Sequence, residues 1–174
     1  MPMKKSRGYT LVELVVAVGL FALVMVLASG AYLIMIGANR QAQSISTGIN
    51  NLSFALESMT RTIRTGSGYN CAGIGDCVGG TSFSLLDENG ATVTYSLVGS
   101  SIQKNTAGVL STLTDPSVTV SSLTFYAYGT KPTTAGDYRQ ARVTIIVSGT
   151  VSSGPGKTEP FTVETGATMR GSDL

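Results

Sequence analysis

A long apolar run near the N-terminus is the strongest pattern in the sequence. From Leu14 to Ile36 there are 23 residues without a charged side chain, which at about 1.5 Å rise per residue make roughly 34 Å of helix. A helix of this length spans the hydrocarbon core of a bilayer. Basic residues stand before the run at positions 4, 5 and 7, and only Arg40 follows it closely. This asymmetry predicts a single-pass segment with its N-terminus in the cytoplasm and the remaining chain outside.

Two simple interpretations compete for this run. An ordinary secretory signal has an apolar region of about 7 to 15 residues before a small-residue cut site. The run here is longer, although Ala28-Ser29-Gly30 is a weak match to such a site. An uncleaved signal anchor accounts for the length and the flanking charges, but it does not account for Glu13, which stands two residues into the apolar stretch.

A second helical pattern follows Arg40. Its apolar residues are spaced 4, 3, 4, 3 and 4 apart, which places them on one face of a helix. We predict one helix that continues from the membrane to about Arg64 and ends at Gly66 and Gly68, where glycine stops a helix. The stripe is expected to pack on a sheet, with a short coiled-coil seam as the alternative. Its members are Ile45, Ile49, Leu52, Leu56, Met59 and Ile63.

From Thr81 the pattern changes to strands. Asn89-Gly90 is the strongest short hairpin signal, and the flanking residues alternate with period 2. The predicted strands are 82–86, 92–98, 102–104, 118–128, 141–151 and 161–169. Strands that follow one long helix indicate an α+β fold with an antiparallel sheet.

The stretch from Gly66 to Gly80 is glycine-rich and holds both cysteines, Cys71 and Cys77. We expect a loop that connects the helix to the sheet. In an exported chain, two nearby cysteines predict a small disulfide, and two free thiols are the alternative. Gly73-Ile74-Gly75 has no strand before it and no Lys after it, so it does not fit a phosphate-binding loop.

Length and charge narrow the choice of function. The chain has 174 residues, enough for one modest domain beyond the apolar run. It carries 12 basic and 10 acidic residues, and Lys4, Lys5 and Arg7 are three of the basic ones. A cut after Gly8 leaves 9 basic against 10 acidic, which is a net charge near −1. The basic character therefore belongs to the precursor, and no nucleic-acid partner is predicted.

No catalytic constellation is evident. Histidine is absent, which removes the commonest general base and metal ligand. Asp87 and Glu88 are adjacent in a turn and fit a solvated hairpin tip, while Asp115 and Asp137 lie in separate loops without the spacing of a calcium site. The aromatic residues fit strand faces better than a stacking platform for single-stranded nucleic acid. We expect no enzyme activity, no cofactor and no metal.

Glu13 raises a question of charge pairing. A carboxylate at mid-bilayer costs about 2.5 to 3.5 kcal/mol on insertion scales, and less near the edge. The helix beyond Glu13 offers no cation until Arg40. If the chain is cut after Gly8, the new α-amino group lies four peptide bonds from Glu13, and the two can pair within one subunit or between neighbours. The alternative is a carboxylate that reaches into the headgroup region.

These residues resemble the processing signal of type IV prepilins. The matching run is Arg7-Gly8-Tyr9-Thr10-Leu11-Val12-Glu13-Leu14, after a short basic leader and before a long apolar helix. The resemblance implies that a membrane aspartyl peptidase cuts after Gly8, that Tyr9 is methylated at its new N-terminus, and that Glu13 acts in subunit docking. The family usually has Phe where this chain has Tyr9. Major pilins usually carry Pro in the outer part of the apolar helix, where this chain has Gly30.

The second half of the chain is similar to the minor pseudopilin J group of type II secretion and to related minor pilins. The similarity covers the order of the strands, from the hairpin with Tyr95 to the final strand near Thr168-Met169-Arg170. It implies a minor subunit that initiates or caps a filament. In that family a final Arg is often followed by Asn, whereas Gly171 follows Arg170 here.

The resemblance also implies an organisation and a set of partners. We expect a leader at 1–8, a membrane and filament-core helix at 9–38, an amphipathic continuation at 39–65 and an extracytoplasmic β domain at 66–174. The expected partners are prepilin peptidase, other pilin or pseudopilin subunits, an inner-membrane assembly platform and membrane lipid. The expected locations are the cytoplasmic membrane and then a periplasmic or cell-surface filament. A signal-anchored extracytoplasmic enzyme and an adhesin or DNA-receptor pilin are the alternatives.

Overall fold

The computed structural model describes residues 8–71, 75–131 and 139–170. One helix, α1, extends over Leu11–Thr65, which confirms the predicted continuous helix to within a residue of its expected end. The chain divides into two compact units, the first ending at Gln41 and the second beginning at Ala42. The leader to position 7, Gly73, Ile74, Asp137 and Gly171 lie outside the described residues.

The first unit contains the apolar part of α1, and its side chains are exposed from Leu11 to Met35. Leu14 is 60% exposed, Phe21 62% and Leu33 69%. Gly30 lies within the unbroken helix. The Ser29 hydroxyl donates to the Met25 carbonyl oxygen at 2.7 Å, so this polar side chain is satisfied inside its own helix.

In the second unit, one face of α1 packs on the sheets, as the apolar stripe predicts. Its buried residues are Gly48, Leu52, Ala55, Leu56, Met59 and Ile63. Ile49 departs from the prediction because it is 46% exposed, while its neighbour Gly48 takes the buried position. A Cβ atom at Gly48 would lie 3.3 Å from Val151 Cβ and 3.6 Å from Val118 Cγ2. The absence of a side chain there lets the helix approach the sheet closely.

Among the described residues of the second unit, nine antiparallel strands form two sheets. Strand β1 is Ser67–Asn70, β2 is Cys77–Gly80, β3 is Ser82–Leu86, β4 is Thr92–Val98, β5 is Ser101–Thr106, β6 is Val109–Thr112, β7 is Val118–Tyr128, β8 is Arg142–Gly154 and β9 is Lys157–Thr168. The five-stranded sheet has the order β1-β3-β4-β5-β6, and the four-stranded sheet has the order β2-β7-β8-β9. The α+β class with one long helix on antiparallel strands is therefore confirmed, but the strands divide between two sheets where one was predicted.

Three short strands, β1, β2 and β6, were not predicted from the sequence. Strands β1 and β2 lie inside the stretch predicted to be a loop, so that prediction was wrong for eight of its residues. Each of these strands is four residues long, and β1 contains a single apolar residue, Tyr69, so neither shows a readable alternation. Both exist because they pair with distant strands, β1 with β3 and β2 with β7. Strand β6 has no buried residue, and within the described ranges it pairs with β5 alone.

Aromatic side chains join the two sheets in one core. Phe83 of β3 and Phe125 of β7 are fully buried, with ring centroids 5.4 Å apart in a stacked arrangement. Tyr69 packs against Phe83 at 5.5 Å, and its hydroxyl donates to the Ile63 carbonyl oxygen of α1. The helix and the two sheets thus meet at these rings.

Candidate functional site

Gly8 and Tyr9 precede the helix in a non-helical, exposed stretch. Tyr9 is 85% exposed, and α1 begins two residues later, at Leu11. A peptidase must bind its substrate in an extended conformation, and a helix would hide the bond. The predicted cut therefore falls beside exposed, non-helical backbone at Gly8 and Tyr9.

Thr10 caps the helix, and sequence reasoning missed it. Its hydroxyl oxygen accepts a hydrogen bond from the Glu13 N–H at 3.3 Å, and its carbonyl oxygen accepts one from the Leu14 N–H at 3.2 Å. Thr10 and Glu13 stand three residues apart, which is the spacing of a capping box. The signal was present as Thr-x-x-Glu ahead of an apolar run.

Glu13 lies at the end of the helix that Thr10 caps. Glu13 is in the first turn of α1, where the helix dipole favours a negative charge. Its side chain is exposed, and within residues 8–71, 75–131 and 139–170 it has no ion-pair partner. An amine placed at Tyr9 by cleavage is only four residues away along the chain. Gly8, Tyr9 and Glu13 are thus brought into one short segment at the start of the helix.

The helix beyond Glu13 has the dimensions of a membrane span. By length and composition α1 can cross a bilayer, with a mean hydropathy of 2.8 over its most apolar 18 residues and none of that window buried. Exposed apolar surface of this extent is stable only against lipid or against other protein. The segment therefore requires an apolar partner.

A disulfide joins Cys71 and Cys77 in the second unit. Cys71 follows β1 of the five-stranded sheet, and Cys77 opens β2 of the four-stranded sheet. Both cysteines are 6% exposed. Gly80 passes close to the bond, since a Cβ there would lie 2.7 Å from the Cys71 carbonyl oxygen. The disulfide therefore links the two sheets where β1 and β2 would otherwise depend on four-residue ladders alone.

The carboxylates of Asp87 and Asp115 accept backbone hydrogen bonds within turns. Asp87 Oδ1 accepts hydrogen bonds from the N–H groups of Asn89 at 2.9 Å and Ala91 at 2.8 Å. Asp115 Oδ1 accepts one from the Ser117 N–H at 2.9 Å, and this bond, with a smaller contribution from the Ser117 side chain, lowers the pKa of Asp115 below its ordinary value. In the part of the chain that the structure describes, no group of three or more potential metal ligands occurs.

Comparison with known proteins gives one finding. A family model described as the prokaryotic N-terminal methylation motif matches residues 3–29. No curated protein and no solved structure matches the chain. The match covers the leader, the segment from Gly8 to Glu13 and much of the apolar helix. Prepilins with this motif are processed by prepilin peptidase and assemble with other pilin subunits. The chain thus carries a prepilin methylation motif directly ahead of a long apolar helix, and these two features support the type IV pilin and pseudopilin family.

Proposed function

We propose that the chain is a minor pilin or pseudopilin, a structural subunit that initiates or caps a type IV pilus-like filament or a type II secretion pseudopilus. The observation that carries this proposal is the methylation motif on an exposed, non-helical stretch directly ahead of an exposed apolar helix. The role is non-enzymatic. The domain limits are those expected from the sequence, at residues 8, 38 and 65.

Processing is the first step of the proposed function. Prepilin peptidase cuts between Gly8 and Tyr9 and methylates the new amine of Tyr9. Before extraction, the helix lies in the cytoplasmic membrane with its basic leader inside and its β domain outside, in contact with lipid and with an assembly platform. The basic residues ahead of the helix and the span of α1 support this orientation.

Assembly is the second step, and Glu13 is its central residue. A carboxylate that leaves water for an apolar surrounding needs a cation or a proton. The described residues supply Glu13 with no cation, whereas a neighbouring subunit supplies its Tyr9 amine at the corresponding end of its own helix. We assign Glu13 to pairing with that neighbour's amine, because the pair leaves neither charge unmatched in the filament.

Two observations support the proposal that the chain is a minor subunit of the filament and not its major subunit. Gly30 replaces the Pro that major pilins usually carry, and α1 continues through it without interruption. The strand order of the second half is similar to that of minor pseudopilins of the J group. Both favour a subunit at the end of a filament over one that forms its length.

Mass spectrometry of the N-terminus tests the processing step. We expect a mature chain that begins with N-methylated Tyr9, and a Gly8→Glu variant that retains its leader. Gly19→Ala is the matched control, because a Cβ at Gly19 meets nothing within 4 Å, and it should be processed normally. A wild-type chain that begins at unmodified Met1 would refute the proposal and favour a signal-anchored enzyme.

A separate measurement tests assembly and rank. Glu13→Gln should be cut and methylated but should no longer enter sheared filaments, while Glu57→Gln, an exposed acidic residue farther along α1, should enter them normally. Deletion of the chain should abolish filaments, although the chain itself is a small fraction of their mass. A chain that makes up most of the filament would contradict the minor rank but leave the processing result intact.

A further inference from the structure

The turn between β3 and β4 contains the chain's one Asn-Gly pair, Asn89-Gly90. Both residues are exposed, and a Cβ placed on Gly90 would meet no atom within 4 Å. Asparagine is a chemically labile residue. It is most labile before glycine, because a glycine nitrogen has no neighbouring side chain to hinder its approach to the asparagine side-chain carbonyl carbon. The turn therefore places a reactive pair of residues in water.

Hydrogen bonds within the turn oppose that reaction. The Gly90 N–H, which contains the reacting nitrogen, donates to the Asp87 main-chain carbonyl oxygen at 3.0 Å. Asp87 Oδ1 accepts hydrogen bonds from the Asn89 N–H at 2.9 Å and from the Ala91 N–H at 2.8 Å. To react, the Gly90 nitrogen must release its proton and turn from Asp87 toward the Asn89 side chain. The closed turn is thus the unreactive state, and the open turn is the reactive one.

We propose that Asn89 is a site of spontaneous deamidation and that the turn built on Asp87 controls its rate. A base in the solvent, water or hydroxide, takes the proton of the Gly90 amide. The freed electron pair of the nitrogen forms a bond to Asn89 Cγ, the bond from Cγ to Nδ2 breaks, and Nδ2 leaves as ammonia. The product is a cyclic succinimide. This modification goes beyond the filament role and does not depend on it.

Water then opens the succinimide at one of its two carbonyl carbons and gives a proton to the Gly90 nitrogen. Attack at Cγ breaks the bond from the Gly90 nitrogen to Cγ and leaves aspartate. Attack at the main-chain carbonyl carbon breaks the original peptide bond and leaves the chain connected through Cγ, as isoaspartate. Both routes lose one ammonia and gain one water, without oxidation or reduction. Both products carry a new carboxylate beside Asp87 and Glu88.

The isoaspartate form cannot keep the hydrogen bonds of the turn. Its main chain contains an extra methylene group at position 89, which displaces the Gly90 N–H from the Asp87 carbonyl oxygen. The new charge also lies beside the Asp87 carboxylate, and like charges repel. Leu85 and Val93, which pair across the strands just beyond the turn, are both 1% exposed. We therefore expect this end of the hairpin, including part of its core, to open more readily after modification.

The rate of deamidation follows the population of the open turn. Loop motions are complete within microseconds, which is far faster than the chemistry. A slow reaction of a transiently open state is governed by the equilibrium population of that state. Loss of the Asp87 side chain removes two backbone hydrogen bonds, which raises the open population by about 5- to 30-fold.

Peptide mapping by mass spectrometry tests the proposal on the full chain in nonionic detergent. The protein is kept at mildly alkaline pH, sampled over time and digested in acid, and isoaspartyl methyltransferase identifies isoaspartate. We expect isoaspartate at Asn89 and no comparable change at Asn50, which is exposed but precedes Asn51. Urea that unfolds the second unit should speed the reaction by at least about 10-fold, and Asn89→Gln should abolish it at this position.

Three variants separate the hydrogen bonds of the turn from its charge. Asp87→Ala should speed deamidation by about 5- to 30-fold. Asp87→Asn keeps an acceptor oxygen and loses only the charge, so its rate should stay within about twofold of the original. Asp115→Ala, which removes a carboxylate from another turn, is the matched control and should also stay within about twofold.

The outcomes that contradict the proposal are distinct. Absence of isoaspartate at Asn89 even in urea would show that this pair is not a modification site. Equal rates in the folded and the unfolded chain would overturn control by the turn. Equal acceleration by Asp87→Asn and Asp87→Ala would overturn it as well, because the charge of Asp87 and not its hydrogen bonds would then set the rate.

Discussion

Replacing Gly48 tests the close contact between α1 and the four-stranded sheet. A Cβ at this position would overlap Val151 Cγ2 and would lie 3.3 Å from Val151 Cβ. Overpacking of this kind costs about 1 to 3 kcal/mol, whereas Ala is favoured over Gly inside a helix by about 1 kcal/mol. We therefore expect Gly48→Ala to lower the free energy of unfolding by up to about 2 kcal/mol.

A double-mutant cycle isolates the clash from the helix propensity. Val151→Ala by itself leaves a cavity in the core and is destabilising. In the Val151→Ala background the added methyl group enters vacated space, so Gly48→Ala should stabilise by about 1 kcal/mol. The two changes are thus expected to couple favourably by about 1 to 3 kcal/mol.

The assay is urea unfolding of the full chain in detergent, followed by near-ultraviolet circular dichroism of the buried tyrosines. Val143→Ala is the control background, because Val143 is also fully buried on β8 but lies eight residues from Val151. Gly48→Ala should add independently to that change. Additive free energies in the Val151 cycle, or a Gly48→Ala chain more stable than wild type, would refute the close-contact argument.

Two further predictions concern the second unit. Removing the disulfide with Cys71→Ala and Cys77→Ala together should cost about 2 kcal/mol by loop-entropy reasoning, measured as the difference in urea unfolding between the variant and the oxidised chain; a difference near zero would show that the bond constrains nothing. Burial raises the pKa of Tyr95 above its ordinary value of 10.0, and Thr62 has a smaller opposing effect. Within the described residues, the Tyr95 hydroxyl makes no hydrogen bond of acceptable geometry. Because the folded pKa is the higher one, the contribution of Tyr95 to stability is complete below pH 10.0 and is lost as the pH rises through the folded pKa. Tyr95→Phe should therefore make the free energy of unfolding fall less steeply at alkaline pH. Parallel curves of unfolding free energy against pH for the two proteins would contradict this.

Sequence reasoning succeeded where the determinants were local. The apolar run and the stripe predict one helix because each turn repeats the same pattern. The β3–β4 hairpin was predicted from Asn89-Gly90, and in the structure Gly90 has φ 77°, a conformation that favours glycine. Asp87 completes this turn by accepting two backbone hydrogen bonds. The motif that holds Gly8, Tyr9 and Glu13 is also contiguous and lies within the matched residues 3–29, while the roles of these three residues stay predictions.

What failed depended on contacts between distant residues. Alternation along a strand shows which residues share a face, but not which strand lies beside it, so the division into two sheets could not be read from the sequence. Gly48 replaced Ile49 in the core because Val151 and Val118 approach it across the layers. The bulge before Leu123 reversed the alternation of β7, and this moved Tyr126 and Tyr128 to the outer face. A strand without the bulge would have buried both tyrosines.

The exposed half of α1 bears on what selects a filament over a membrane. Eighteen large apolar side chains between Tyr9 and Met35 are exposed, and covering them is favourable by on the order of tens of kcal/mol. Lipid tails and neighbouring helices cover them almost equally well, because lipid is as apolar as leucine. The hydrophobic effect therefore keeps the helix out of water without deciding between lipid and filament. Under the proposed function, the choice of a filament depends on the groups which lipid does not satisfy, and we assign it to the carboxylate of Glu13, which a neighbour's terminal amine can neutralise.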